Sequence, residues 1–447
     1  MKLRIVTMFV VAVLVAAACG SSRKTSSSTA PGGNTTGPGG SSKVVDTSKC
    51  PAGNDSVGVN GNTITIGTSL PESGIYGAFI AIEQGERAYF QYLNAAGGVE
   101  IAGKKYQINL VDKDDQYMAD KTVTNVQSLV NDTKVFALFN TVGTKNNLAI
   151  RNFVDTQCVP DLLIASGAVQ WGNTQYPWML GSELVPYPLE MRAFVDYLKQ
   201  KKPNATIALL KASDDFGQSY QEALEAMVKG THLKIVQTQS YDAEGATVAP
   251  QVTSLAATHA DAFVIGGTLL ACPAALNAMG AAGWHPITYM SGTCVSKLLF
   301  AAGGKNSNDV FSVTPLLDPA DPANASNPAM QLYKAQMKKY QPKADATDGI
   351  VAYGWSTAAL FAHILESSPA ATRSAVMETA RTLKPSSGIG LQLPDSAWST
   401  SASDWFLGED FQLIQYNLAQ AHTNPVGPLI DDSGKTAALS PASLLHS

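Results

Sequence analysis

From Asn62 onward, short apolar runs rich in β-branched residues alternate with longer stretches in which apolar positions recur every three or four residues. The runs ITIGTSL (64–70), YQINLVD (106–112), KVFALF (134–139) and Val159–Ala165 predict strands. Between them, 78–98, 119–132 and Asn146–Asp155 predict helices, the first ended by Gly97-Gly98 because glycine takes positive φ at little cost. A break rich in Pro and aromatic residues falls at Gln175–Pro188. The rhythm then restarts with helices Leu189–Lys201, Gly217–Lys229, Val248–His259 and Cys272–Gly283. They alternate with strands 205–211, 233–239, 261–267 and Pro286–Ser291. After Asp309 come a strand VFSVTPL, a loop at 318–328, and helices near Met330–Tyr340, Gly349–Glu366 and Thr372–Leu383. A last strand, FQLIQYN (411–417), precedes a polar tail. Repeated β-then-α order predicts an α/β fold with parallel sheets covered by helices on both faces. Two such halves divide as 62–182 plus 312–385 for lobe one and 183–311 plus 386–425 for lobe two, with a tail at 426–447. Several strands joining the lobes would form a hinge that closes them on a ligand.

The first residues have a different character. Lys2 and Arg4 precede an uncharged run from Ile5 to Ala18, 14 residues that are too few to span a bilayer core. Such a run fits the apolar part of a signal peptide at 1–18. It ends in Val15-Ala16-Ala17-Ala18-Cys19-Gly20, which resembles a lipobox, although Ala16 stands where leucine is usual. Cys19 is then expected to carry lipid and become the mature N-terminus. Residues 19–61 hold Ser-Ser-Ser, Pro-Gly-Gly and Thr-Thr-Gly-Pro-Gly-Gly-Ser-Ser, a composition that predicts a disordered tether. The expected location is therefore the outer face of the cytoplasmic membrane, with contact to the membrane through the lipid anchor only.

The formal charge is −5, and removal of Lys2 and Arg4 with the signal peptide takes it to −7, which argues against a nucleic-acid partner. The six histidines are scattered, with no HxxxH and no CxxC, so no metal site is expected. Beyond Cys19 remain Cys50, Cys158, Cys272 and Cys294. An even number in an exported chain predicts two disulfides, with three connectivities open. Cys272–Cys294 is favoured because each follows an apolar strand-like run expected in one sheet, and Cys50–Cys158 follows by elimination.

Several motifs in order carry a family likeness. PESGIYG (71–77), GERAYFQYLNAAGGV (85–99), GKKYQINLVDKDD (103–115), KTVTNVQSLV (121–130) and DDFGQSY (214–220) resemble the type I periplasmic binding proteins of the leucine/isoleucine/valine class. The likeness spans roughly 62–420. It implies two Rossmann-like lobes around a cleft, a small-molecule solute, and the permease subunits of an ABC transporter as partners, with no cofactor and no catalysis. Asp114-Asp115 also reads as a turn and helix cap, since adjacent residues on an extended chain point to opposite faces.

Ligands of open parallel sheets bind beyond the carboxyl ends of the strands. In lobe one those places hold Ser73, Tyr76 and Phe79, then Thr141, Gly143 and Thr144, then Ser166, Gly167 and Ala168. In lobe two they hold Phe216, Thr268 and Thr293. The resemblance implies that hydroxyls near Thr144 and Ser166 hold a carboxylate. However, Val169 replaces a threonine, and Thr293 stands where an acidic residue usually meets an ammonium group. The pocket is thus expected to be neutral, hydroxyl-lined and partly aromatic, suited to an amino-acid-like solute or a carboxylate with an apolar body. If the matching is offset, Glu183 or Asp214 supplies the missing charge. An exported hydrolase is disfavoured by the lack of GxSxG and HExxH. A sensory ligand-binding component remains the alternative.

Overall fold

The structure is a computed structural model and describes residues 44–245 and 247–447. The predicted signal peptide, Cys19 and most of the predicted tether lie outside the described residues. Lobe one is built on strands β1 (Val59–Asn60), β2 (Thr63–Leu70), β3 (Val99–Ile101), β4 (Lys104–Asp114), β5 (Ala137–Phe139), β6 (Asp161–Ile164) and β7 (Met179–Gly181). Their order is β3-β4-β2-β5-β6-β7, with β1 pairing antiparallel to β2. Apart from β1 and β3 the strands run parallel. Helices α1 (Ile80–Ala95), α2 (Ala119–Ser128) and α3 (Thr144–Thr156) connect them.

Lobe two repeats the scheme with β8 (Thr206–Ala212), β9 (Lys234–Tyr241), β10 (Ala262–Gly266), β11 (Ile287–Met290) and β12 (Phe311–Thr314). Helices α4 (Tyr187–Lys201), α5 (Asp215–Val228), α6 (Ala249–Ala256), α7 (Ala271–Ala281) and α8 (Lys297–Gly303) cover that sheet. The chain then returns to lobe one as α9 (Pro328–Tyr340), α10 (Gly349–Ser367) and α11 (Arg373–Arg381). It ends in lobe two with β13 (Asp410–Asn417), β14 (His422–Pro425) and β15 (Ile430–Asp431), followed by α12 (Thr436–Leu439) and α13 (Ala442–Leu445). The second sheet runs β14-β13-β12-β11-β10-β8-β9, parallel from β9 to β12 and antiparallel beyond.

The chain thus crosses between the sheets after β7, after β12 and after α11. β12 pairs with β11 and β13, so the second sheet continues through Thr314, past the division drawn at 311. Residues 386–398 stay with lobe one, where Ser386 bridges Trp398 and Leu391 packs beside Trp355 of α10. The most extensive helix contact is α1 on α10. Gly85 faces the backbone of Val351 and Trp355, and Gly354 faces the carbonyl of Ile82, so the two helix backbones touch.

Two expectations need correction, and the tail, read only as polar, is folded. Residues 44–61, read as tether, are docked on lobe one. The Val44 and Val45 amides donate to Glu378 at 3.0 Å, the Arg373 guanidinium reaches Asn54, and Val45 is buried. Valines at 44, 45, 57 and 59 supply the apolar surface that the Gly/Ser tract ahead of them lacks. The tail 426–447 is likewise folded: Leu444 packs on Val169 and Phe406, and Thr436 donates to Glu409. The aromatic break at 175–188 hides strand β7, which is too short to show a period. The expected disulfides, Cys50–Cys158 and Cys272–Cys294, are both present. Among the described residues no helix is long and apolar enough to cross a membrane.

Candidate functional site

The carboxyl ends of both sheets face one another across a cleft. In lobe one, Gly143 enters α3 with φ 103°, and a Cβ there would sit 2.7 Å from the Tyr117 ring. The turn therefore brings Thr144 inward at 1 % exposure, its hydroxyl 2.8 Å from that of Ser166. Gly167 presses on the next layer, since a Cβ would lie 2.4 Å from the Val185 carbonyl and 2.8 Å from the Tyr187 ring. Tyr187, at the start of α4, packs with Phe216 and Tyr220 at ring separations of 5.4 Å and 4.6 Å. Burial pushes its phenol well above the usual tyrosine range, and hydrogen bonding to Ser166 and Thr144 partly offsets this. Tyr76 packs against Tyr117 with ring centroids 4.6 Å apart and tilted by 44°, and its hydroxyl donates across the cleft to the Ala243 carbonyl beyond β9. Lys145 pairs with Glu244 at 3.7 Å in the same crossing. The lobes are closed at this end.

Tyr76, Gly143, Thr144, Ser166, Gly167 and Phe216 are thus brought together, but around closely packed, tilted tyrosine rings. Thr268 and Thr293 meet through their hydroxyls at 3.4 Å in lobe two. Thr141 and Ala168 are buried in the wall of lobe one. Ser73 stands apart: it is exposed, donates to Asp114 and accepts from Gln116, and so fixes a turn. Asp114 and Asp115 behave as turn residues and not as helix caps, since the N-cap of α2 is Met118 and receives no side-chain bond. The first accepts from the Glu72 and Gln116 amides at 3.0 Å; the second accepts from the Tyr117 amide at 2.8 Å and from Ser69 and Thr122.

Beside this packed centre lies an open chamber, between the lobes and against their connections. Phe79, Ile82, Val142 and Ala165 form its lobe-one wall, with Ile350 and Ala352 at the start of α10. Thr293, Val295, Phe300 and Val313 face them from lobe two, and Pro315, Leu316 and Leu317 close the hinge side. The lining is largely carbon. Of the residues read as ligand-binding, Phe79 and Thr293 line this chamber and the others do not.

The acids around the cleft are buried, and Glu86, Glu183 and Asp214 each keep one carboxylate oxygen without a hydrogen-bond partner among the described residues. Glu183, on the crossing after β7, accepts from Thr357 of α10 at 2.6 Å, and burial raises its carboxyl to about 7. Asp214 caps α5 by accepting from the Gly217 amide at 3.1 Å, and burial raises its pKa against the pull of that bond and of Lys145. Glu190 on α4 escaped sequence reasoning. Its Oε2 accepts from the hydroxyls of Tyr220 and Tyr289, each at 2.6 Å, and from the Gly292 amide at 3.1 Å. Burial raises it to about 7. The only available signal was an acid amid the apolar positions of α4, Leu189, Met191, Phe194 and Val195. Glu86 of α1, raised to about 8 by burial, accepts from Asn140 at 2.6 Å, and Asn140 leads to Tyr353 at 2.8 Å on the chamber wall. At neutral pH Glu86 is therefore held mainly neutral, since an unpaired buried carboxylate is costly.

Two parallel-sheet lobes, three crossings and a cleft at the strand ends define a type I periplasmic binding fold. The chain belongs to the periplasmic binding protein family, whose model matches residues 63–418. Solved structures agree on the fold. A substrate-binding periplasmic protein from Ralstonia solanacearum is 22 % identical over 83 % of this chain and 100 % of that one, with a TM-score of 0.70. A branched chain amino acid ABC transporter protein from Thermus thermophilus with bound valine is 15 % identical over 84 % and 98 %, with a TM-score of 0.74. A fatty acid ABC transporter substrate-binding protein from Thermomonospora curvata is 17 % identical over 85 % and 95 %, with a TM-score of 0.72.

Proposed function

We propose that this protein is a lipid-anchored receptor on the outer face of the cytoplasmic membrane. It captures one small organic solute between its lobes, without catalysis, and delivers it to the permease of an ABC importer. The solute is amino-acid-like or a carboxylate with an apolar body. The chamber enclosed jointly by both lobes is the observation that carries this reading, because a ligand held there links its own binding to lobe closure. Family membership and the transporter proteins that share the fold support it.

Within that class, free leucine, isoleucine and valine are expected to be poor ligands. Thr293 provides no carboxylate for an ammonium group, and Oε2 of Glu190 already receives three donors. An ammonium group without such a partner forgoes a charge-assisted bond worth about 1.5–3 kcal/mol, or about one to two orders of magnitude in affinity. A thermal-shift screen over branched-chain amino acids, aromatic acids, alkanoates and short amides tests the reading. The true solute at a hundredfold excess over Kd should add about 2.7 kcal/mol of stability. Submicromolar leucine binding would contradict the exclusion of branched-chain amino acids, and a screen in which no solute stabilises the protein would contradict the receptor role. The anchor is tested separately: Cys19→Ala should release the protein from membrane fractions or leave it unprocessed, and unchanged membrane attachment would refute it.

A further inference from the structure

We infer that the solute lies in the hinge-side chamber rather than between Thr144 and Phe216, and that Lys297 pairs with its carboxylate. The inference rests on the receptor reading above and narrows the solute to a monocarboxylate with an extended apolar body. The first ground is space. Thr144 and Ser166 hydrogen-bond each other, and the neighbouring rings of Tyr187, Phe216 and Tyr220 are at most 3 % exposed, so that part of the cleft is filled by the protein itself. The open volume begins at Phe79 and Thr293 and runs to Pro315 and Leu317.

The second ground is charge. Lys297, Asp318 and His422 are the ionisable side chains, tyrosines aside, on the chamber lining. Asp318 is fully engaged, accepting from the Ala320 amide at 2.8 Å and from the Thr423 amide and hydroxyl at 2.8 Å and 2.6 Å. His422 bonds the Thr423 carbonyl at 3.0 Å and stands 4.0 Å from Asp321. Lys297 donates only to the Thr347 hydroxyl at 3.1 Å. Asp345 accepts from the same Thr347 at 2.7 Å and feels the charge of Lys297, although no carboxylate among the described residues comes within 4.0 Å of that ammonium. A half-buried ammonium group beside an apolar chamber, with a hydroxyl as its one hydrogen-bond partner and Asp345 only at longer range, is matched by an anion carried on an apolar body. An amino acid, whose own ammonium would meet Lys297, is disfavoured at this place.

Calorimetry on the full mature protein with decanoate, decanamide and decylamine tests this. The expected order of affinity is decanoate, decanamide, decylamine. Lys297→Met should weaken decanoate by about ten- to a hundredfold, the worth of one charge-assisted bond, and leave decanamide within about twofold. Lys297→Glu should reverse the order of decanoate and decylamine, a gain that misfolding cannot produce. Decanoate binding unchanged in Lys297→Met overturns the assignment of Lys297. If the wild-type protein ignores decanoate but is stabilised by another solute, the chamber assignment fails while the receptor reading stands. If nothing binds, both fail.

Discussion

Gly354→Ala is expected to destabilise the protein by about 3 kcal/mol or more, although alanine is the better helix former. In an exposed helix the exchange would gain about 0.5–1 kcal/mol from propensity and lost unfolded-state freedom. Here the added Cβ would lie 2.0 Å from the Ile82 carbonyl oxygen of α1. No rotamer relieves a clash with backbone, so α1 and α10 must part. That separation opens the packing of Phe90 on Phe361 at 6.2 Å and of Tyr89 on Trp355 at 4.9 Å. Overpacked cores lose about 1–3 kcal/mol even when flexible side chains can yield, so sterics outweigh propensity. Gly85→Ala meets the same obstacle from the other helix, 2.1 Å from the Val351 carbonyl. Denaturant melts of the two variants check this, and a raised midpoint for either would show that the helices are not in backbone contact.

The two disulfides should differ in worth. Cys50 and Cys158 close a loop of 108 residues and Cys272 and Cys294 one of 22. The chain-entropy account gives about 5 kcal/mol for the first and about 3 kcal/mol for the second. Replacing each pair by alanine leaves comparably small voids, because Cys158, Cys272 and Cys294 are all buried. The Cys50→Ala/Cys158→Ala protein should therefore unfold at lower denaturant than the Cys272→Ala/Cys294→Ala protein. Docking by Glu378 and Arg373 does not replace the lost link, since those contacts also vanish on unfolding. Equal or reversed midpoints would mean that residual structure in the unfolded chain, rather than loop length, sets the stabilisation.

The fold was legible because its signals are local and repeated. The strand at 64–70 and the helix at 119–132 fall where periodicity puts them, and Gly97-Gly98 ends α1 as expected. The two- and three-residue strands β1, β3, β7 and β15 escaped because so short a span has no measurable period, whereas β5, β6, β11 and β12 lie within longer apolar runs. The helix α8 also escaped: its Ser296 cap and LLF run follow a cysteine and resemble loop. The site was legible as a set of strand ends but not as a volume. Thr144 and Ser166 are where strand-end reasoning places them, yet Tyr187, Tyr117 and Tyr220 reach that space from other elements. Lys297 and Glu190 acquire their surroundings only when α4, β11 and the hinge come together, and no spacing along the chain encodes that.

The docking of residues 44–61 has a mechanical meaning. Val44 and Val45 are held by Glu378, Asn54 by Arg373 and Cys50 by Cys158, and all three holders belong to lobe one. A pull on the chain ahead of Val44 therefore enters lobe one alone. The second lobe can swing through its full opening without doing work against that load. Force beyond what the hydrogen bonds at Val44 and Val45 bear arrives next at a covalent link, well before it reaches the sheet.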